Sequence, residues 1–134
     1  MTAETSRGFD VPARPGRLQV DVCHGELGAV VFVRGDLDRA SVPTLAAALW
    51  ELLDTGAAGR SIVVNMASAP FVDVGGLNMF LDATQRAADQ NVAFYLAGCS
   101  AHLVRLLRLL DAFHAVQVVG PQRGVVHRGV RLLR

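Results

Sequence analysis

Three times along this sequence a short apolar run gives way to a segment whose apolar residues recur every three or four positions. Residues 29–33 (Ala-Val-Val-Phe-Val) precede Leu45, Leu49, Leu52 and Leu53. Residues 62–66 precede Leu77, Phe80, Leu81, Thr84 and Ala88, and residues 92–97 precede Leu103, Leu106, Leu107 and Leu110. A continuous apolar run suits a covered strand and a 3.6-residue period suits an amphipathic helix, so the alternation predicts an α/β domain. Ahead of the series, Leu18, Val20 and Val22 alternate with Gln19 and Asp21, the pattern of a half-buried strand. A short turn at residues 24–28 joins it to the first apolar run as an antiparallel hairpin, and strands separated by a helix run parallel. A last strand is expected at residues 114–119. The expected order is β-β-α-β-α-β-α-β, a mixed sheet of about five strands, with residues 29–33 a central strand buried on both faces.

The 134 residues fit one domain. Residues 1–16 read as a flexible arm, residues 17–119 as the domain, and residues 120–134 as a basic tail with Arg123, Arg128, Arg131 and Arg134 and no acid. The start of the chain has no apolar stretch of signal-peptide type, and no apolar run approaches the ~20 residues of a membrane helix. A cytoplasmic protein without stable membrane insertion is expected. Apolar residues are 51% of the chain and the formal net charge is +1, which argues against disorder of the domain and gives no electrostatic reason to expect nucleic acid.

Catalysis is not expected. Lysine is absent, so there is no phosphate-binding loop of the usual kind, and no Gly-x-Ser-x-Gly elbow occurs. His24, His102, His114 and His127 lack metal-ligand spacing, and neither a metal nor a cofactor is expected. Cys23 and Cys99 are too few for a disulfide framework and read as buried or half-buried thiols.

The segment Phe71-Val72-Asp73-Val74-Gly75-Gly76-Leu77 lies where the strand at residues 62–66 hands over to a helix expected at residues 77–88. Asp73 is placed to cap that helix, whose free N–H groups and dipole favour acidic or polar contacts. Ser41, with Pro43 behind it, and Ser100 are expected to cap the helices before and after. Asn78 and Met79 fall off the expected apolar stripe and are expected to face outward. In parallel sheets the working surface lies at the carboxyl ends of the strands, where Asp36, Asp38 and Asp73 would converge.

Taken together, Gly35-Asp36-Leu37-Asp38, Ser41-Val42-Pro43, the 71–77 turn and Leu96-Ala97-Gly98-Cys99-Ser100 resemble the STAS domain. That is the domain of bacterial anti-sigma-factor antagonists and of the cytoplasmic part of sulphate transporters. The resemblance implies a non-catalytic module that captures an anti-sigma factor, a serine kinase of ATPase fold, and so regulates transcription in stress signalling. An accessory subunit of a transporter or sensor assembly is the alternative, and a homodimer is a further possibility. In the family the turn reads Asp-Ser-Ser/Thr-Gly-Leu, and phosphorylation of its Ser breaks the capture. Here Asp73 and Gly76-Leu77 match, but Val74 and Gly75 fill the hydroxyl positions, so this turn has no phosphorylation site. Asn65 and Thr44 stand where the family usually has acids. The expected partner-binding residues are Asp36, Asp38, Asp73, Val74, Gly75, Gly76, Asn78 and Met79. Ser41, Thr44 and Ser100 are the alternative places for a phosphate.

Overall fold

Buried side chains alternate along every strand, and their register shows where the core lies. A computed structural model describes residues 18–109 and 115–119. The arm, the basic tail, Leu110 and His114 fall outside the described residues. The elements are β1 (Gln19–His24), β2 (Gly28–Arg34), α1 (Val42–Thr55), β3 (Ser61–Ser68), α2 (Val74–Asp89), β4 (Ala93–Ala97), α3 (Ala101–Leu109) and β5 (Gln117–Val119). They form one five-stranded sheet in the order β1-β2-β3-β4-β5. The β1–β2 pair is antiparallel and the other three pairs are parallel, as the sequence pattern requires.

Across the sheet the buried residues stand beside one another. Val22 pairs with Val31, Val31 with Val64, Val64 with Leu96, and Leu96 with Val118. Against that face the helices bring Leu45, Leu49, Leu52 and Leu53, then Leu77, Phe80, Ala83 and Ala87, then Leu103 and Leu107. A sheet whose parallel strands follow one another in sequence, joined by right-handed crossovers, collects its helices on one side.

That topology corrects one expectation. Residues 29–33 are covered on one face, not two: Ala29, Val31 and Val33 are buried, whereas Val30 is only half-buried and Phe32 is 43% exposed. A continuous apolar run shows that a strand is central, and it does not show how many layers cover it. At the outer surface of α1 and α2, Arg86 lies 4.1 Å from the ring centroid of Trp50 and pairs with Asp82 at 3.4 Å. Trp50 is the chain's one tryptophan and so reports on this helix pair.

At the end of the sheet away from the helix starts, the hairpin closes onto β3. Gly28 is in register with Ser61, and an added Cβ there would stand 2.0 Å from the Ser61 carbonyl oxygen. Backbone cannot yield to that overlap without breaking the β2–β3 ladder. Gly28→Ala is expected to lower the unfolding free energy by about 2 kcal/mol or more, read by denaturant titration with Trp50 fluorescence. A change below about 0.5 kcal/mol would contradict the close approach.

Candidate functional site

Beyond the ends of β2 and β3 the two chains stay joined. Gly35 N–H donates to the Ser68 carbonyl at 3.1 Å, Leu37 N–H to the Phe71 carbonyl at 3.0 Å, and Asp73 N–H to the Leu37 carbonyl at 3.1 Å. Leu37 and Val72 form a parallel bridge and are both fully buried. Alternation then decides the rest: with Leu37 and Val72 inward, their neighbours Asp36, Asp38, Phe71 and Asp73 point toward the rim. Asp36 is exposed, and Asp38 and Asp73 are half-buried.

Each of the two half-buried carboxylates organises a loop. Asp38 Oδ1 accepts from Ala40 N–H and Ser41 N–H, each at 3.0 Å. Asp73, in extended backbone, accepts through Oδ1 from Gly76 N–H at 3.0 Å and caps α2 as expected. Ser100 also caps as expected: its Oγ accepts from Leu103 N–H at 3.1 Å, and it donates to the Pro70 carbonyl at 2.8 Å. Ser41 differs. It occupies the N-cap position of α1 but makes no side-chain capping bond. Its Oγ turns back, accepting from Asp38 N–H at 2.9 Å and donating to the Asp36 carbonyl at 2.7 Å. The helical backbone at Ser41, φ −102° and ψ −13°, denies it the extended geometry from which a capping hydroxyl reaches forward.

Helix α2 begins at Val74, three residues before the expected start, so both glycines belong to its first turn. Its buried stripe is Gly76, Met79/Phe80, Ala83 and Ala87, with Leu77 beside it. Two expectations are corrected here. Met79 is 6% exposed and belongs to the core, while Asn78 is exposed as expected. Gly76 is buried, and an added Cβ would lie 2.9 Å from Leu37 Cγ and Cδ2 and from Val72 Cγ1. The helix approaches the Leu37–Val72 pair through this glycine, which rotates the inward face by about one residue from the apolar pattern. Small residues mark that face, and a pattern built on large apolar residues does not register them.

The rim that results is a shallow depression lined by Asp38, Arg39, Ala40, Asp73, Val74 and Gly75. It joins the 36–41 loop to the start of α2. Val74 is 49% exposed. A Cβ at Gly75 would lie 3.2 Å from Asp73 Oδ1 and 3.8 Å from Arg39 Cα. Arg39 also lines the depression, and its position next to Asp38 is the one signal in the sequence that points to it. Among the described residues no group of three or more His, Cys, Asp or Glu is arranged to hold a metal, and no helix is long and apolar enough to cross a membrane.

The two thiols are apart. Cys23 lies within β1 and Cys99 follows β4, so β2 and β3 stand between them. Three inter-strand steps are about 14 Å, twice the Cα separation a disulfide tolerates. Burial pushes the Cys99 thiol up to about 12 from its ordinary 9.0.

The STAS domain family profile matches residues 19–122. No curated protein matches the chain in sequence. Among solved structures, an anti-sigma factor antagonist from Mycobacterium paratuberculosis is 19% identical over 80% of this chain and 89% of that one, with a TM-score of 0.68. An anti-sigma-factor antagonist domain protein from Planctomyces limnophilus is 17% identical over 78% and 92%, with a TM-score of 0.65. The Bacillus cell fate determinant SpoIIAA in its phosphorylated form is 16% identical over 75% and 91%, with a TM-score of 0.60. At these identities the likeness is one of fold.

Gly76→Ala tests the helix approach by its sign. In an open helix the change stabilises by up to about 1 kcal/mol; here overpacking against Leu37 should reverse it to a loss of about 1–3 kcal/mol. Met79→Lys should cost about 2 kcal/mol or more while Asn78→Lys stays within about 0.5 kcal/mol, both by denaturant titration. For Cys99 the unfolded chain loses its proton first as pH rises. The stability that burial of the neutral thiol supplies is complete below pH 9 and is lost between about 9 and 12. The stability difference between wild type and Cys99→Ala should therefore shrink from pH 9 to pH 11.

Proposed function

This chain belongs to the STAS domain family, and from that premise we propose that it is a non-catalytic interaction module that captures an anti-sigma factor of kinase-like ATPase fold. Capture releases a sigma factor in the cytoplasm. One observation carries this reading: Asp38 and the Asp73–Gly75 turn line one depression that contains no Ser or Thr side chain. A phosphate in that depression would add about −1.5 to −2 charge beside two carboxylates, fill the space that Gly75 leaves open, and push the Asp73 carboxylate out of the position a basic partner meets. With Val74 and Gly75 in place, the edge stays in its binding form.

The contacts fall to Asp36, Asp38, Asp73, Val74, Gly75 and Asn78. Gly75 keeps the depression open to the partner's backbone, and the carboxylates supply acidic complementarity. Gly76 and Met79 act from behind, by seating α2 against Leu37. The carboxylates remain available because their structural bonds run through Oδ1, a single oxygen of each group.

The test is co-purification of the full chain from its native cell, with mass spectrometry of partner and phosphosites. An anti-sigma factor of kinase-like fold should be recovered with wild type. Gly75→Asp places a carboxylate in the depression, close to Asp73 Oδ1, and should weaken capture at least about tenfold, roughly 1.4 kcal/mol. Equal recovery with Gly75→Asp would refute the edge. Recovery of a transporter or sensor subunit would replace the reading with its alternative. Stoichiometric phosphate on Ser41, Thr44 or Ser100 would show that control had moved to another hydroxyl.

A further inference from the structure

Phe71 stands 49% exposed, although nothing about its backbone is loose. Its carbonyl accepts from Leu37 N–H, Val72 beside it is fully buried, and the preceding Pro70 carbonyl accepts from Ser100 Oγ. One face of its ring is stacked on His102, with centroids 5.4 Å apart and planes 10° apart. His102 itself is exposed, in the first turn of α3. The stack therefore joins the loop before α2 to the first turn of α3. Three residues on from Phe71, Val74 adds an aliphatic surface, also 49% exposed. Asp38 and Asp73 line the depression beyond Val74. A held aromatic ring next to an acidic depression is already ordered for contact, so docking on it costs little conformational entropy.

We infer that the Phe71–His102 stack is the apolar half of the partner-binding surface. It takes an aliphatic side chain of a basic segment whose Arg or Lys reaches Asp38 and Asp73. The occupant follows from charge: Asp36, Asp38 and Asp73 outnumber Arg39 on this side of the rim. Arg105, exposed three residues beyond His102 on α3, would repel that cation and leave it the Val74 side. This inference rests on the proposed capture of a protein partner and extends its surface to the start of α3.

The full chain is made in its native cell with p-benzoylphenylalanine at 71, 102, 74 or 27, and cross-linked peptides are identified. Position 27 is a control, since Leu27 is 69% exposed in the β1–β2 turn at the other end of the sheet. Positions 71 and 102 should cross-link the protein that position 74 captures, within a peptide carrying an aliphatic residue beside Arg or Lys; position 27 should not. Cross-links from 74 with none from 71 and 102, or to a different protein, overturn the inference and leave the functional reading standing. Silence at all three refutes both. With the partner so identified and purified, Phe71→Ala should bind at least tenfold more weakly with its melting temperature little changed, and His102→Phe should bind within twofold of wild type. Unchanged affinity with a lowered melting temperature would make the stack a loop clamp only and overturn the inference.

Discussion

The rim depends on the bridge between Leu37 and Val72. Past the last rungs of the β2–β3 ladder, two loops would ordinarily separate toward their own helices. Here three backbone hydrogen bonds and a pair of fully buried side chains carry the pairing further. The bridge fixes which neighbours point outward, and so it brings Asp36, Asp38, Phe71 and Asp73 to one edge from two distant parts of the sequence. It also supplies the floor on which α2 rests through Gly76. Removing either side chain would leave a void under the helix start, in the range of about 2–5 kcal/mol for a buried leucine.

In the proposed capture the acids at this edge serve structure and recognition at once. Asp38 and Asp73 each hold backbone N–H groups of the helix starts behind them. A carboxylate so engaged is oriented before any partner arrives, which limits the entropy lost on binding. The same arrangement makes the edge sensitive to added negative charge, because a new anion would face two carboxylates already fixed in place.

The architecture was legible because each strand and helix carries its own period. Asp73 and Ser100 were legible as caps from their position ahead of an apolar stripe, and both cap through the bonds that position implies. Ser41 occupies the same kind of position, yet its hydroxyl is drawn into the 36–41 loop by Asp38 and Asp36, a preference that only the folded loop reveals. The inward face of α2 differs from its apolar pattern for a physical reason. Glycine and alanine at 76, 83 and 87 are invisible to a search for large apolar residues, although small residues are what permit close helix approach. Met79 turns inward with them. Phe71 was read only as part of a turn, since its exposure depends on the alternation imposed by Leu37 and Val72.

Two adjacent glycines open α2, and they differ in what evolution could write there. Position 76 faces Leu37 and Val72 at 2.9 Å and admits no side chain without moving the helix. Position 75 is crowded only by the Asp73 carboxylate at 3.2 Å, a side chain able to shift by a few tenths of an ångström. A serine at 75 would fit with the scaffold intact. The architecture therefore fixes glycine at 76 and leaves 75 open to a small side chain.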